Sequence, residues 1–243
     1  MIKSIFARVW ALWGLLSFAA TFLLILIPSM ISHLFKDEKK GQIYFMVVSR
    51  IWMRVWLTLI GCRLIIKGKE KFASAPVFIV TFNHRSLLDV PLSAPFVPGG
   101  NKTIGKISFA KVPLFGWFYS RGAVLVDRNK ESSRRKSYEQ MHQVLRLGIH
   151  MCVYPEGTRN RGKELLKPFF DGAFRLSKET GVPIMPCIIR GTADAMPIHK
   201  AFYLLPKQLS LEFLDPMNPQ NYASVTELKA AVFESMHANL SSK

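Results

Sequence analysis

The chain has 243 residues, room for one large domain with an appendage or two small ones at about 150 residues per domain. Lysine and arginine total 33 against 16 acidic residues, a formal charge of +17, yet 49% of the residues are hydrophobic and the mean hydropathy is +0.17. That combination excludes a disordered chain and a polar nucleic-acid tail, and it favours an anionic membrane surface over nucleic acid as the polyanionic partner.

The amino terminus is the most apolar part. No Asp, Glu, Lys or Arg occurs from Val9 to Phe35, and Pro28 is expected to end a helix running from Val9 to Ile27. Such a helix reaches about 28 Å, close to the thickness of a bilayer's hydrocarbon core. It is long for a signal-peptide core, and no small-residue cleavage site follows it, so it is expected to be retained. A second apolar stretch, Ile43 to Ile60, carries Arg50 and Arg54 one helical turn apart, with Phe45, Val48, Trp52, Trp56 and Leu59 on the other side. Two arginines at mid-span would cost about 2.5 to 3.5 kcal/mol each, so this helix is expected to lie along the interface. Between the two, Lys36-Asp37-Glu38-Lys39-Lys40-Gly41 reads as a polar turn. Basic residues flank the first helix on both sides, which gives no orientation by the positive-inside rule. A hairpin dipping into one leaflet resolves this; a single-pass anchor is the simpler alternative. Residues 1 to 70 hold 10 basic and 3 acidic residues, leaving 23 and 13 for the rest, so the whole protein is basic.

From Arg63 the texture becomes short β-rich runs alternating with helical patterns. Strands are expected at Leu64 to Lys67, Val77 to Phe82, Lys102 to Ile107, Ala123 to Val126, His150 to Tyr154, Ile184 to Ile189 and Leu209 to Leu214. Several are nearly continuous apolar runs, as for strands covered on both faces. Helices are expected at Leu87 to Ala94, Ser133 to Leu147 with Gly148 as stop, Gly172 to Thr180 with Gly181 as stop, and Thr226 to Leu240. The expected fold class is α/β, a mixed and mostly parallel sheet flanked by helices, preceded by the membrane-associated two-helix hairpin. This divides the chain into a hairpin over 1–60 and a domain over 61–243. Cys62, Cys152 and Cys187 are too few and too scattered for a disulfide framework or a thiolate zinc site, which fits a reducing compartment.

Four segments carry chemistry. The apolar run Val77 to Phe82 ends in Asn83-His84-Arg85-Ser86-Leu87-Leu88-Asp89. A loop turning helical at about Ser86 would fold Asp89 back onto one imidazole nitrogen of His84, fixing the tautomer and leaving the other nitrogen to accept a proton. A histidine after a strand is more often structural, so the pair alone does not establish catalysis. The strand at 150 to 154 runs into Tyr154-Pro155-Glu156-Gly157-Thr158-Arg159, a tight turn at a strand end where Arg159 is well sited for a phosphate or carboxylate. A plain turn with solvated arginines is an equal reading of that segment alone. Gly157 to Lys163 has the spacing of a nucleotide-binding loop, but Glu164 stands where magnesium binding needs Ser or Thr, which excludes it. The strand Gly122 to Val126 ends at Asp127-Arg128 and follows Lys106 and Lys111; Val182 to Cys187 is an apolar strand bracketed by prolines. Taken alone, the first could be a core strand with a surface charge, and a core strand outright is the better reading of Val182 to Cys187.

Taken together and in this order, the four segments resemble the glycerolipid acyltransferase family typified by bacterial 1-acylglycerol-3-phosphate acyltransferases, with its N-H-x-x-x-x-D, G-x-x-x-x-x-R-like, F/Y-P-E-G-T-R and V-P-I-x-P blocks. The resemblance covers roughly Gly61 to Leu214; beyond it, Thr226 to Leu240 is expected to be a packing helix. It implies transfer of a fatty acyl chain from acyl-CoA or acyl-carrier protein, as co-substrate, to the sn-2 hydroxyl of lysophosphatidic acid, giving phosphatidic acid. In that scheme His84 is the general base and Asp89 its orienter. Glu156, Gly157, Thr158 and Arg159, with Arg128, would grip the acceptor's phosphate, and Lys106 would contact the phosphate or the oxyanion. No G-x-S-x-G elbow exists, so direct attack without an acyl-enzyme is favoured. No cofactor or metal is expected. The expected partners are membrane lipids and lysophosphatidic acid, with no nucleic acid, and the expected location is the cytoplasmic face of a membrane, the inner one in a bacterium. Another lysolipid acceptor and a non-catalytic basic membrane-binding protein are the alternatives.

Overall fold

The computed structural model describes residues 2–242. Two long helices come first, α1 (Ile2–Met30) and α2 (Glu38–Leu59). Then follow β1 (Arg63–Lys67), β2 (Ile79–Phe82), the short α3 (Asp89–Ser93), β3 (Asn101–Lys106), α4 (Phe115–Gly122) and β4 (Ala123–Val126). The chain continues through α5 (Glu131–Arg146), β5 (His150–Val153), α6 (Gly172–Thr180), β6 (Ile184–Arg190), α7 (Thr192–Ala195), β7 (Gln208–Phe213) and α8 (Val225–Ser241). All seven expected strands form, within two residues of their expected ends.

They build one sheet in the order β1-β7-β6-β2-β5-β3-β4. The neighbours from β6 to β4 are parallel, β6 and β7 are antiparallel, and β1 lies parallel to β7. Side chains alternate between two cores. Val80 and Phe82 of β2, with Cys152 and Cys187, face a core completed by Trp52, Met53, Trp56 and Leu57 of α2 and by Leu88 and Leu92. Ile79, Met151 and Ile188 face the opposite core, filled by Met141 and Leu145 of α5, Phe174 and Leu176 of α6, and Leu228, Val232 and Met236 of α8. The period of two along the strands thus covers both sheet faces with helices, and the carboxy-terminal helix is a packing helix.

The hairpin is not a separate body. Its inner face is part of the first core, and tryptophan indoles stitch α1 to α2 along their length: Trp10 to the Ile60 carbonyl at 3.0 Å, Trp13 to Leu59 at 2.9 Å, Trp56 to Gly14 at 3.0 Å and Trp52 to the Thr21 hydroxyl at 2.9 Å. The start of α1 is tied to the rest of the chain by the Leu204 N–H donating to the Ala7 carbonyl. The outer face stays apolar: Ile5, Val9, Leu12, Leu16, Leu23, Leu24 and Ile27 of α1 are exposed, as are Ile51 and Val55 of α2.

Several expectations are corrected. Pro28 does not end α1, which runs on to Met30; the proline lies in the last turn, where the hydrogen bond it forfeits is one of the last in the ladder. The polar turn is shorter than expected because the Asp37 carboxylate caps the N–H groups of Lys39 and Lys40, starting α2 at Glu38. Gly41 is therefore helical, and a Cβ there would sit 2.6 Å from the Ser32 carbonyl. Leu59 is exposed instead of inward. Arg50 is half-buried and serves the fold, donating to the carbonyls of Pro95 and Val97 at 2.7 and 2.9 Å. The helix expected near Ser86 begins at Asp89. Helices α4 and α7 were not anticipated.

Candidate active site

The chain leaves β2 for β3 by way of α3 on one face of the sheet, and leaves the adjacent β5 for β6 by way of α6 on the other. Neighbouring parallel strands whose connections depart in opposite directions open a crevice at their carboxyl ends, the usual ligand position in α/β sheets. The Asn83–Asp89 and Tyr154–Arg159 segments leave from these two strand ends.

Asn83 carries β2 past its last ladder bond. Its amide donates to the Ile189 carbonyl at 2.9 Å and accepts the Ile189 N–H at 2.7 Å, clamping the loop onto β6. His84 follows. Its Nδ1 lies 2.8 Å from Asp89 Oδ2, and the same oxygen accepts the backbone N–H groups of Arg85 and Ser86 at 2.7 and 2.8 Å. One buried carboxylate oxygen therefore folds the loop and orients the ring, while Asp89 Oδ1 is buried without a partner. An imidazole that donates from Nδ1 to this carboxylate leaves Nε2 with its lone pair outward. The His84 side chain is 17% exposed against 1% for Asp89, so the imidazole is reachable and the carboxylate beside it is sealed.

The second segment lies directly beneath the first. The Tyr154 ring packs under the His84 imidazole with centroids 4.3 Å apart, and its hydroxyl pairs with the Ser93 hydroxyl at 2.7 Å. Burial, with the Asp89 charge nearby, pushes the Tyr154 phenol well above its usual range, which keeps this platform neutral. Glu156 is fully buried. Its Oε1 accepts the His84 N–H at 2.7 Å and its Oε2 the Lys167 N–H at 3.0 Å. Burial raises the Glu156 carboxyl, and those two N–H groups pull it partly back. The Asn160 N–H closes the frame by donating to the His84 carbonyl at 2.6 Å.

These placements alter the expected phosphate set. Glu156 does not face a phosphate; both its oxygens are occupied by backbone N–H groups, and a carboxylate would repel the ligand. Gly157 shapes the turn: its φ is +71°, and a Cβ would meet the Phe170 ring at 2.6 Å. Thr158 is exposed, its hydroxyl accepting from Lys167 Nζ at 2.7 Å. Arg159 is half-buried and forms no side-chain hydrogen bond or ion pair among the described residues, leaving its guanidinium available to an anion. Lys106 and Arg128 stand at the exposed carboxyl ends of β3 and β4, which pair in register at Lys106 and Val126. Their strands lie two and three places from β2 in the sheet, about 10 and 14 Å across it. Cys152 is fully buried and packs as core. Tyr154 and Glu156 as supports of His84, with Asn160 and Lys167, went unrecognised in the sequence; only the pairing of β2 with β5 brings them there.

A family model described as "Acyltransferase" matches residues 63–190, more than half of the chain. The chain belongs to the acyltransferase family. It is 30% identical over 150 residues to the 1-acyl-sn-glycerol-3-phosphate acyltransferase of Saccharomyces cerevisiae, covering 60% of this chain and 49% of that protein. It is 33% identical over 155 residues to the protein of the same name from Salmonella typhimurium, covering 61% and 60%. The matched part thus spans 49 to 60% of these relatives. The fold of this acyltransferase is that of the crystal structure of the 1-acyl-sn-glycerophosphate (LPA) acyltransferase PlsC from Thermotoga maritima, with a TM-score of 0.82 and 23% identity over 98% of this chain and 96% of that one.

Proposed function

We propose that this acyltransferase moves a fatty acyl group from an acyl thioester, acyl-CoA or acyl-carrier protein, to the sn-2 hydroxyl of lysophosphatidic acid, forming phosphatidic acid. The observation that carries this reading is the His84–Asp89 contact of 2.8 Å at a strand edge bordered by Lys106, Arg128 and the unpaired Arg159. The names borne by the yeast and Salmonella relatives supply the acceptor.

The proposed chemistry uses that contact. His84 Nε2 takes the proton of the acceptor hydroxyl as its oxygen attacks the thioester carbonyl, and Asp89 stabilises the imidazolium that forms. The tetrahedral intermediate collapses, the carbon–sulfur bond breaks, and the imidazolium returns its proton to the departing thiolate. Attack is direct, with no acyl-enzyme. Arg159, with Arg128 and Lys106, holds the acceptor's phosphate as a charge-assisted pair, while Glu156 and Asn160 hold the His84 backbone against the turn. The exposed apolar face of α1 and α2 rests in one leaflet, on the cytoplasmic side, so that neither lysolipid nor product carries its chains through water at about 0.8 kcal/mol per CH₂.

The test is detergent-solubilised protein supplied with labelled palmitoyl-CoA or palmitoyl-carrier protein and a panel of lysolipids. Labelled phosphatidic acid is the expected product. Labelling of a different lysolipid would change the acceptor, and transfer to none would leave a non-catalytic lipid-binding protein.

A further inference from the structure

Beyond β3 the chain makes a 3-10 turn (Ile107–Lys111) and a short connection to α4 that neither the proton transfer nor the phosphate contacts use. Ile107, Phe109, Val112 and Leu114 are exposed by 39, 44, 44 and 59%, a dense apolar cluster bracketed and divided by the exposed Lys106 and Lys111.

The loop is rigid. Leu114 has a φ of +60°, and the Phe115 N–H reaches back to the Pro113 carbonyl at 2.6 Å, a γ-turn of the strained hand that a leucine adopts only when its surroundings hold it there. The next N–H, of Gly116, bonds the Val112 carbonyl at 2.7 Å, and a Cβ on Gly116 would stand 2.1 Å from the Ala110 carbonyl. These bonds fix the backbone that carries Val112 and Leu114, and the Phe109 ring packs on Tyr119 with centroids 5.5 Å apart.

Their surroundings identify the occupant. Phe115, at the loop's end, and Phe118 pack edge-on against Phe22 of α1, with ring centroids 5.7 Å apart in both cases. The loop therefore adjoins the half of α1 that exposes Leu23, Leu24 and Ile27. Exposed apolar side chains on two adjoining elements, interleaved with lysines, match the acyl region and anionic headgroups of a lipid leaflet.

We propose that the loop 107–114 is a second membrane contact that dips into the same leaflet as the hairpin. Because it begins at Lys106, on the strand edge shared with His84, its insertion holds that edge at the lipid surface, where an acceptor hydroxyl emerges. This rests on the lipid-facing reading of the hairpin, and the two are separable by experiment.

Cys62, Cys152 and Cys187 are buried, so a cysteine added at the surface can be labelled alone. An environment-sensitive fluorophore would be attached in turn to Phe109→Cys, Val112→Cys, Ile51→Cys on the outer face of α2, and Lys136→Cys on the exposed side of α5. Vesicles of phosphatidylcholine and phosphatidylglycerol are then added. Blue-shifted, lipid-quenchable emission at 109 or 112 together with 51, and none at 136, is the expected result. Lipid signal at 51 alone would overturn the loop contact and leave the hairpin; water at 51, 109 and 112 would overturn both. None of these readouts depends on catalysis.

Discussion

The carboxylate of Glu156 accepts the backbone N–H of His84 at 2.7 Å across 72 residues of chain. The turn after β5 therefore holds the imidazole loop in place from below, and if His84 is the base, Glu156 acts through His84's position. Glu156→Gln puts an amide N–H against one of two buried backbone N–H groups. It is expected to lower stability by about 1–3 kcal/mol and to reduce kcat with little change in acceptor KM. Thermal unfolding and steady-state kinetics of the same preparation check this; a change in KM alone would return Glu156 to the phosphate.

Asp89 separates cleanly into structure and charge. Asp89→Asn can keep an oxygen for the Arg85 and Ser86 N–H groups and place its amide where Oδ1 now lies unpartnered. The loop should persist while the anion beside the imidazole is lost. The expected outcome is a fall in kcat on the order of 10² to 10⁴ with a melting temperature close to wild type, read by kinetics and calorimetry.

Arg159 has no side-chain hydrogen bond or ion pair among the described residues, so its removal should cost the fold little. If it pairs with the acceptor's phosphate, Arg159→Ala raises acceptor KM by about 10- to 100-fold and spares kcat, as expected for the loss of a charge-assisted bond of about 1.5–3 kcal/mol. Unchanged kinetics would remove Arg159 from the site.

His150 supplies a pH signature remote from catalysis. It is buried at the start of β5, its Nδ1 accepting the Phe78 N–H at 2.9 Å, and burial, with Lys39 nearby, lowers its pKa from 6.5 to about 4. The unfolded chain takes the proton first, so this contribution is complete above pH 6.5, is lost as pH falls, and is exhausted near pH 4. It amounts to about 3 kcal/mol at most. Urea unfolding of wild type and His150→Asn at neutral and acid pH should show a smaller acid loss in the variant; parallel losses would contradict it.

What the sequence disclosed was local. Alternating apolar runs located every strand, and the five-residue spacing of His84 and Asp89 is enough to foresee their contact. Glu156 was misjudged because a carboxylate in a turn gives no sign of which N–H groups it will meet; β2 beside β5 decides that. Helix α4 was overlooked because it holds Gly116 and Gly122, poor helix formers, and it forms through packing with α1 and with the loop around Ala110. The reach of α1 past Pro28 was likewise hidden, since a proline's cost depends on how many helical bonds lie beyond it.

Proton transfer at His84 is tested most directly by following thiol release from an acyl thioester on addition of lysophosphatidic acid, in wild type and in His84→Ala matched for melting temperature and vesicle binding. Wild type should release one thiol per phosphatidic acid formed, and the variant should be slower on the order of 10³-fold or more. A folded, membrane-bound His84→Ala protein that releases thiol at the wild-type rate would contradict the general-base role.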